Sequence, residues 1–153
     1  MDRPSSRMRI IPRIKVSMVK EADVVFCANP IRTPSQVETL VRDFIGPSDR
    51  EHFIVVHLST RHIVTAIETI SIGTISASLV HPREVFKSAI VKSSAGIIVA
   101  HNHPSGNVNP SEEDLSITRR LVEVGELIGV EVLDHVIVGG ESDTYSMREN
   151  GQI

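Results

Sequence analysis

The sequence predicts an α/β or α+β domain built on a mixed β-sheet. Three observations carry that prediction. Short apolar stretches with strand character, at residues 53–58, 96–100 and 132–138, are interspersed with three amphipathic helical patterns, each opened by a capping residue or a proline. Hydrophobic residues make up 41% and charged residues 23% of 153, which is ordinary globular usage; disordered and fibrous classes are excluded, and the length fits one domain. No apolar run approaches the roughly 20 residues of a membrane helix, so a soluble, cytoplasmic protein without a membrane partner is expected.

Ile14, Val16 and Met18 alternate with Lys15 and Ser17, which predicts a first strand. Thr33-Pro34-Ser35-Gln36 has the Thr-x-x-Gln form of a capping box with proline at the first helical position. Val37, Leu40, Val41 and Phe44 follow at helical spacing, and Gly46-Pro47 ends that helix. Phe53 to Leu58 is nearly all apolar, as a strand buried on both faces would be. Ile63 to Ile70 and Ile75 to Val80 predict two more strands, with Gly73 near the bend between them. Pro82 opens a second helix carrying Val85, Phe86, Ala89 and Ile90, which Gly96 closes. The most apolar short strand, Gly96 to Ala100, runs into His101-Asn102-His103-Pro104 and a polar loop ending at Pro110. Ser111 starts a third helix with the stripe Ile117, Leu121, Val124 and Ile128, ended by Gly129. Val132 to Val138 and a short segment around Thr144 to Met147 complete the strands. Pattern alone does not order them in a sheet.

Charge is unevenly spread. Residues 1–20 carry six Lys/Arg (Arg3, Arg7, Arg9, Arg13, Lys15, Lys20) against Asp2, leaving 10 basic and 18 acidic residues elsewhere. We divide the chain into a basic N-terminal arm, 1–13, and a domain, 14–153. Such an arm is either an electrostatic contact for nucleic acid or a solvated, frayed terminus. Aromatics are only 3%, which argues against a stacking platform for single strands. The single cysteine, Cys27, excludes an intramolecular disulfide and a cysteine-rich zinc ribbon.

The chemistry concentrates between residues 101 and 114. His101 and His103 are two apart at a strand end, so period-2 geometry puts both imidazoles on one face and Asn102 on the other. Eleven residues after His103, Asp114 falls at the third position of the helix capped by Ser111, and it precedes Ile117 and Leu121 on the inward face. An unpaired carboxylate there would be costly. Each half has an ordinary explanation, polar punctuation of a strand end and a capping box. Together they describe three protein ligands for zinc with an open fourth position, the catalytic type, because the loop between them is short enough to bring helix start and strand end together. His52, His57, His62, His81 and His135 lack such partners. His57 reads as a satisfied core histidine, and the adjacent Asp134 and His135 point to opposite faces, against joint ligation.

His101-x-His103-x7-Ser111-x2-Asp114 matches the JAMM motif of the JAB/MPN metalloproteases, spacing included. Ser71 to Phe86, Ala100 to Gly106 and Leu133-Asp134-His135 further resemble the RadC branch, over about residues 14–153. The resemblance implies an MPN/JAB1-like (cytidine-deaminase-like) α/β sandwich with a curved mixed β-sheet and flanking helices. It implies Zn2+ as cofactor on His101, His103 and Asp114, with Ser111 hydrogen-bonding the zinc water or developing oxyanion, alongside its capping role. An upstream glutamate completes such sites as general base. Glu51 fits, since it follows the first helix and precedes an apolar strand; Glu68 and Glu84 are the alternatives. The implied function is a zinc metallopeptidase of JAMM type, acting on a peptide or isopeptide substrate. The alternative is a RadC-like DNA-repair or recombination accessory factor, whose nucleic-acid contacts would fall to the basic arm; longer RadC proteins carry a helix-hairpin-helix-like region that this chain is expected to lack. The edge strands of an open sheet offer a second copy a place to pair, so an oligomer fits the same architecture.

Overall fold

The computed structural model describes residues 10–73, 80–140 and 143–153. The elements run α1 (Pro34–Ile45), β1 (Glu51–Leu58), β2 (Val64–Gly73), α2 (Pro82–Lys92), β3 (Gly96–Asn102), α3 (Glu112–Ile128), β4 (Glu131–Val138) and β5 (Thr144–Ser146). The five strands form one mixed sheet in the order β2-β1-β3-β4-β5. β1 is antiparallel to both β2 and β3, β3 is parallel to β4, and β5 returns antiparallel to β4. The parallel pair needs a crossover, which α3 supplies.

Two cores lie on the two faces of the sheet. Phe53, Val55, Ile97 and Val99 pack with Val85, Phe86 and Ala89 of α2 and with Ile117 and Leu121 of α3. The alternate residues Ile54, Val56, Ile98 and Ala100 pack with Val37, Leu40 and Val41 of α1. β1 and β3 are therefore buried on both sides, which is why their sequences are continuously apolar rather than alternating.

The helices form where their signals stand. Pro34 opens α1, Gln36 reaches back to the Thr33 N–H, and Gly46 (φ 65°) ends it. Gly129 closes α3 in the left-handed conformation (φ 73°). The end of α2 differs from expectation. Ser93 takes the left-handed cap (φ 55°), and Gly96 instead opens β3, where an added Cβ would stand 3.2 Å from the carbonyl oxygen of Glu131.

The strand expected at Ile14 to Met18 does not form. Residues 10–25 have no regular secondary structure, and Ile14 and Val16 are 81% and 67% exposed. The segment pairs with no strand among the described residues, and periodicity without a partner does not make a strand. The strand expected over Ile75 to Val80 lies, but for Val80, outside the described residues, as do residues 1–9 of the basic arm. Among the described residues, no helix is long and apolar enough to cross a membrane.

Candidate metal centre

β3 ends the central part of the sheet with His101, and the chain then turns so that His103 N–H donates to Val138 O on the parallel neighbour. That turn carries His103 back beside His101. The 104–110 loop returns to Ser111, the N-cap of α3, and puts Asp114 in the first turn against both imidazoles. Nε2 of His101 lies 3.0 Å from Nε2 of His103 and 3.4 Å from Asp114 Oδ1; His103 Nε2 lies 3.7 Å from Asp114 Oδ2. One ligand atom from each residue falls within 4.8 Å of the others, so the three side chains could hold a single metal ion. His101 and Asp114 are buried and His103 is half-buried, which leaves the approach on the His103 side. A cleft of about 210 Å³ opens beside His103 on the α1 side of the sheet, lined by Val41, Ile45, Pro47, Asn102 and Val138 among others; His101 and Asp114 do not line it.

Neighbouring groups set which atoms face the centre. His103 Nδ1 is 2.5 Å from Asn107 O. A carbonyl only accepts, so Nδ1 carries the proton and neutral His103 presents a lone pair at Nε2. His101 Nδ1 is 2.7 Å from Nε2 of His135, whose Nδ1 lies 2.5 Å from Thr118 Oγ1. Thr118 donates to the Asp114 carbonyl at 2.6 Å. Read from its fixed end, the chain has one consistent direction. Thr118 gives its proton away, so its oxygen accepts from His135 Nδ1–H; His135 Nε2 then accepts from His101 Nδ1–H. His101 Nε2 is left as a second lone pair aimed at the first. Two lone pairs 3.0 Å apart beside a carboxylate repel unless a cation or proton sits among them. That donor set suits a metal.

Burial disfavours the imidazolium of His101 and pushes its pKa down to about 4, with the charge of Asp114 opposing and that of His103 adding. Burial likewise holds His135 well below the usual histidine range. Both are neutral near pH 7, the form that ligation and the relay require.

Ser111 and Asp114 close a capping box. The Ser111 hydroxyl donates to Asp114 Oδ2 at 2.7 Å and accepts from the Asp114 N–H at 3.1 Å, while the Ser111 N–H donates to Oδ2 at 2.8 Å. Oδ2 is thus engaged twice, and Oδ1 faces His101. Glu51 is the first residue of β1. Phe53 pairs with His101, and strand alternation puts Glu51 on the Phe53 and His101 face, one step further toward His103.

The other two glutamates lie elsewhere. Glu68 on β2 is bonded to His57 and Ser88; burial alone would raise its pKa, but those hydrogen bonds outweigh it and the net direction is down. Glu84, in the first turn of α2, is partly exposed and paired with Lys87 and Arg83. His57 is the satisfied core histidine expected, bonded to Ser94 and Glu68.

His135 is the residue that sequence reasoning missed, since it does have a partner in the site. Pairing skips from Ile97↔Val132 to Ile98↔Asp134, leaving Leu133 as an extra residue in β4. Such a bulge re-aims the side chains beyond it. His135 thereby joins the His101 face, and Asp134 turns away to Ser146 and the Arg148 N–H. The only signal in the sequence is a polar pair inside an apolar strand.

The profile of the RadC-like JAB domain family matches residues 31–152. A UPF0758 protein of Rubrobacter xylanophilus is 54% identical over 123 residues, covering 80% of this chain and 53% of that protein. UPF0758 proteins of Desulforamulus reducens and Moorella thermoacetica are 51% and 52% identical, over 80% and 78% of this chain and 54% and 52% of their own lengths. The chain spans about half the length of these curated relatives.

Proposed function

Since the chain belongs to the RadC-like JAB domain family, we propose that it is a zinc-dependent hydrolase of JAMM type, cleaving an amide or isopeptide bond with a metal-activated water. The observation that carries this is the convergence of His101, His103 and Asp114, with donor separations of 3.0, 3.4 and 3.7 Å. The two carboxylate distances are to different Asp114 oxygens; one ligand atom from each residue lies within 4.8 Å of the others, and a tetrahedral zinc, whose ligand atoms stand about 3.3 Å apart, would draw them together. Zinc held by three protein ligands supplies Lewis acidity and an acidified water at its fourth position.

The chain's own residues supply the rest. Glu51 accepts the water proton and returns it to the leaving amine, the two halves of general acid–base catalysis. Ser111 orients the Asp114 carboxylate through the hydrogen bonds above, and its hydroxyl, on turning from Asp114 Oδ2, would donate to developing oxyanion charge. His135 and Asn107 fix the histidine tautomers, as outer partners of metal ligands do. A peptide or isopeptide segment enters from the side of His103, the ligand that is not fully buried.

The test begins with metal analysis of the purified protein, then screens peptide and isopeptide libraries with the zinc-loaded form. Cleavage that disappears on chelation and returns with zinc supports the proposal. Full-length zinc-loaded protein with no hydrolysis of any amide class, or hydrolysis indifferent to chelation, overturns it.

A further inference from the structure

Backbone pairing between β1 and β3 runs from Leu58↔Gly96 to Phe53↔His101 and stops there. It stops because β3 leaves the ladder to bring His103 into the site. Two backbone groups beyond that point, the His52 N–H in β1 and the carbonyl of Arg50 just before it, do not lose their partners. The Asn102 side chain takes both: Oδ1 accepts from the His52 N–H at 2.7 Å, and Nδ2 donates to the Arg50 carbonyl at 2.9 Å. An amide side chain here imitates one further rung of sheet. The residue between its two contacts is Glu51. His52 is held a second time, through Nε2 to Ser48 Oγ at 2.9 Å.

We propose that Asn102 is a positioning residue for Glu51: lying between the two histidine ligands, it clamps the backbone on either side of the glutamate and fixes the carboxylate relative to the metal centre. This rests on the assignment of Glu51 as general base. The physical need is plain. Toward β2 the pairing of β1 continues to Glu51↔Gly73, but on the β3 edge it ends at Phe53, and a base that moves by an ångström loses much of its effect. Asparagine meets that need because it alone among short side chains offers an acceptor and a donor side by side, matching one N–H and one C=O. Aspartate keeps the acceptor and sets an oxygen against the Arg50 carbonyl. Alanine removes both contacts.

The experiment uses the cobalt(II)-loaded full chain, whose visible absorption reports the water on the metal, titrated with pH in wild type, Glu51→Gln, Asn102→Ala and the double variant. Each is first shown to be folded and to hold one cobalt. Expected is a midpoint that Glu51→Gln displaces, that Asn102→Ala displaces in the same direction, and that the double variant leaves where Glu51→Gln put it, the non-additivity of residues acting as a unit. Amide exchange at His52 should rise roughly 2- to 10-fold in Asn102→Ala, the loss of about one hydrogen bond. Asn102→Asp, read the same way, replaces the alanine variant if that one does not fold. A wild-type midpoint in Asn102→Ala beside a displaced one in Glu51→Gln overturns the proposal and leaves the base assignment standing. Loss of cobalt from folded Asn102→Ala also overturns it, since the residue would then support the ligands. A wild-type midpoint in Glu51→Gln refutes the base assignment itself.

Discussion

Replacing His135 by leucine should weaken zinc binding about 10- to 100-fold without unfolding the protein. The imidazole of His135 is fully buried and makes two hydrogen bonds, to His101 Nδ1 at 2.7 Å and to Thr118 Oγ1 at 2.5 Å. Thr118 keeps its bond to the Asp114 carbonyl when His135 is gone. His101 keeps nothing at Nδ1, and it is itself fully buried. A buried donor left without an acceptor costs about 1–3 kcal/mol, or roughly 5- to 150-fold in an equilibrium constant. The neutral ring avoids part of that by moving its proton to Nε2, the atom a metal needs bare, so the loss appears in metal affinity. Leucine fills a similar volume beside Phe53, whose ring lies 5.5 Å from that of His135, so the metal-free fold should hold. The assay is a competition titration against a chelator of known affinity, with thermal unfolding of the metal-free protein as control. His135→Gln, whose amide oxygen accepts from Nδ1, should recover part of the affinity. Wild-type affinity in His135→Leu would refute the relay as described.

Glu51→Gln should keep one bound metal and the fold while hydrolysis falls about 10²–10⁴-fold, the usual worth of a positioned base; Glu68→Gln and Glu84→Gln should stay active, and the reverse pattern would move the base elsewhere. Stability of the metal-free protein should be greatest above about pH 6.5 and decline as pH falls toward 4. His101 has its folded pKa lowered to about 4 and His135 is lowered too, so the unfolded chain binds protons first, and denaturant unfolding across that window checks the sign. Any DNA affinity should follow the basic arm: deleting residues 1–12 removes three of the six Lys/Arg in the first 20 residues and should flatten the dependence of affinity on salt, whereas an unchanged slope would make the arm a bystander.

The fold was legible wherever local physics decides it. A capping box with proline at its start fixed α1, and two-sided burial made β1 and β3 continuously apolar. The spacing of His101, His103 and Asp114 pointed to their meeting, although a turn after Asn102 rather than strand alternation carries His103 beside His101. Other features depend on what lies across the sheet. Ile14 to Met18 alternate as a strand does but pair with no strand among the described residues. The end of α2 went to Ser93 because a serine can take a left-handed cap when its N–H finds Ala89 and Ile90 carbonyls. His135 reached the site through a bulge opposite Ile97 and Ile98, and Asn102 through contacts 50 and 52 residues away. Strand order and register set both, and neither is written in a single segment's pattern.

Anomalous diffraction at the zinc edge reads a zinc ion held by His101, His103 and Asp114 without any assay of turnover. One peak per chain is expected, about 2.0–2.2 Å from His101 Nε2, His103 Nε2 and an Asp114 carboxylate oxygen, and lost in the Asp114→Asn variant. No peak at that point in protein saturated with zinc, or a full-occupancy peak surviving in the His101→Ala/His103→Ala double variant, would contradict it.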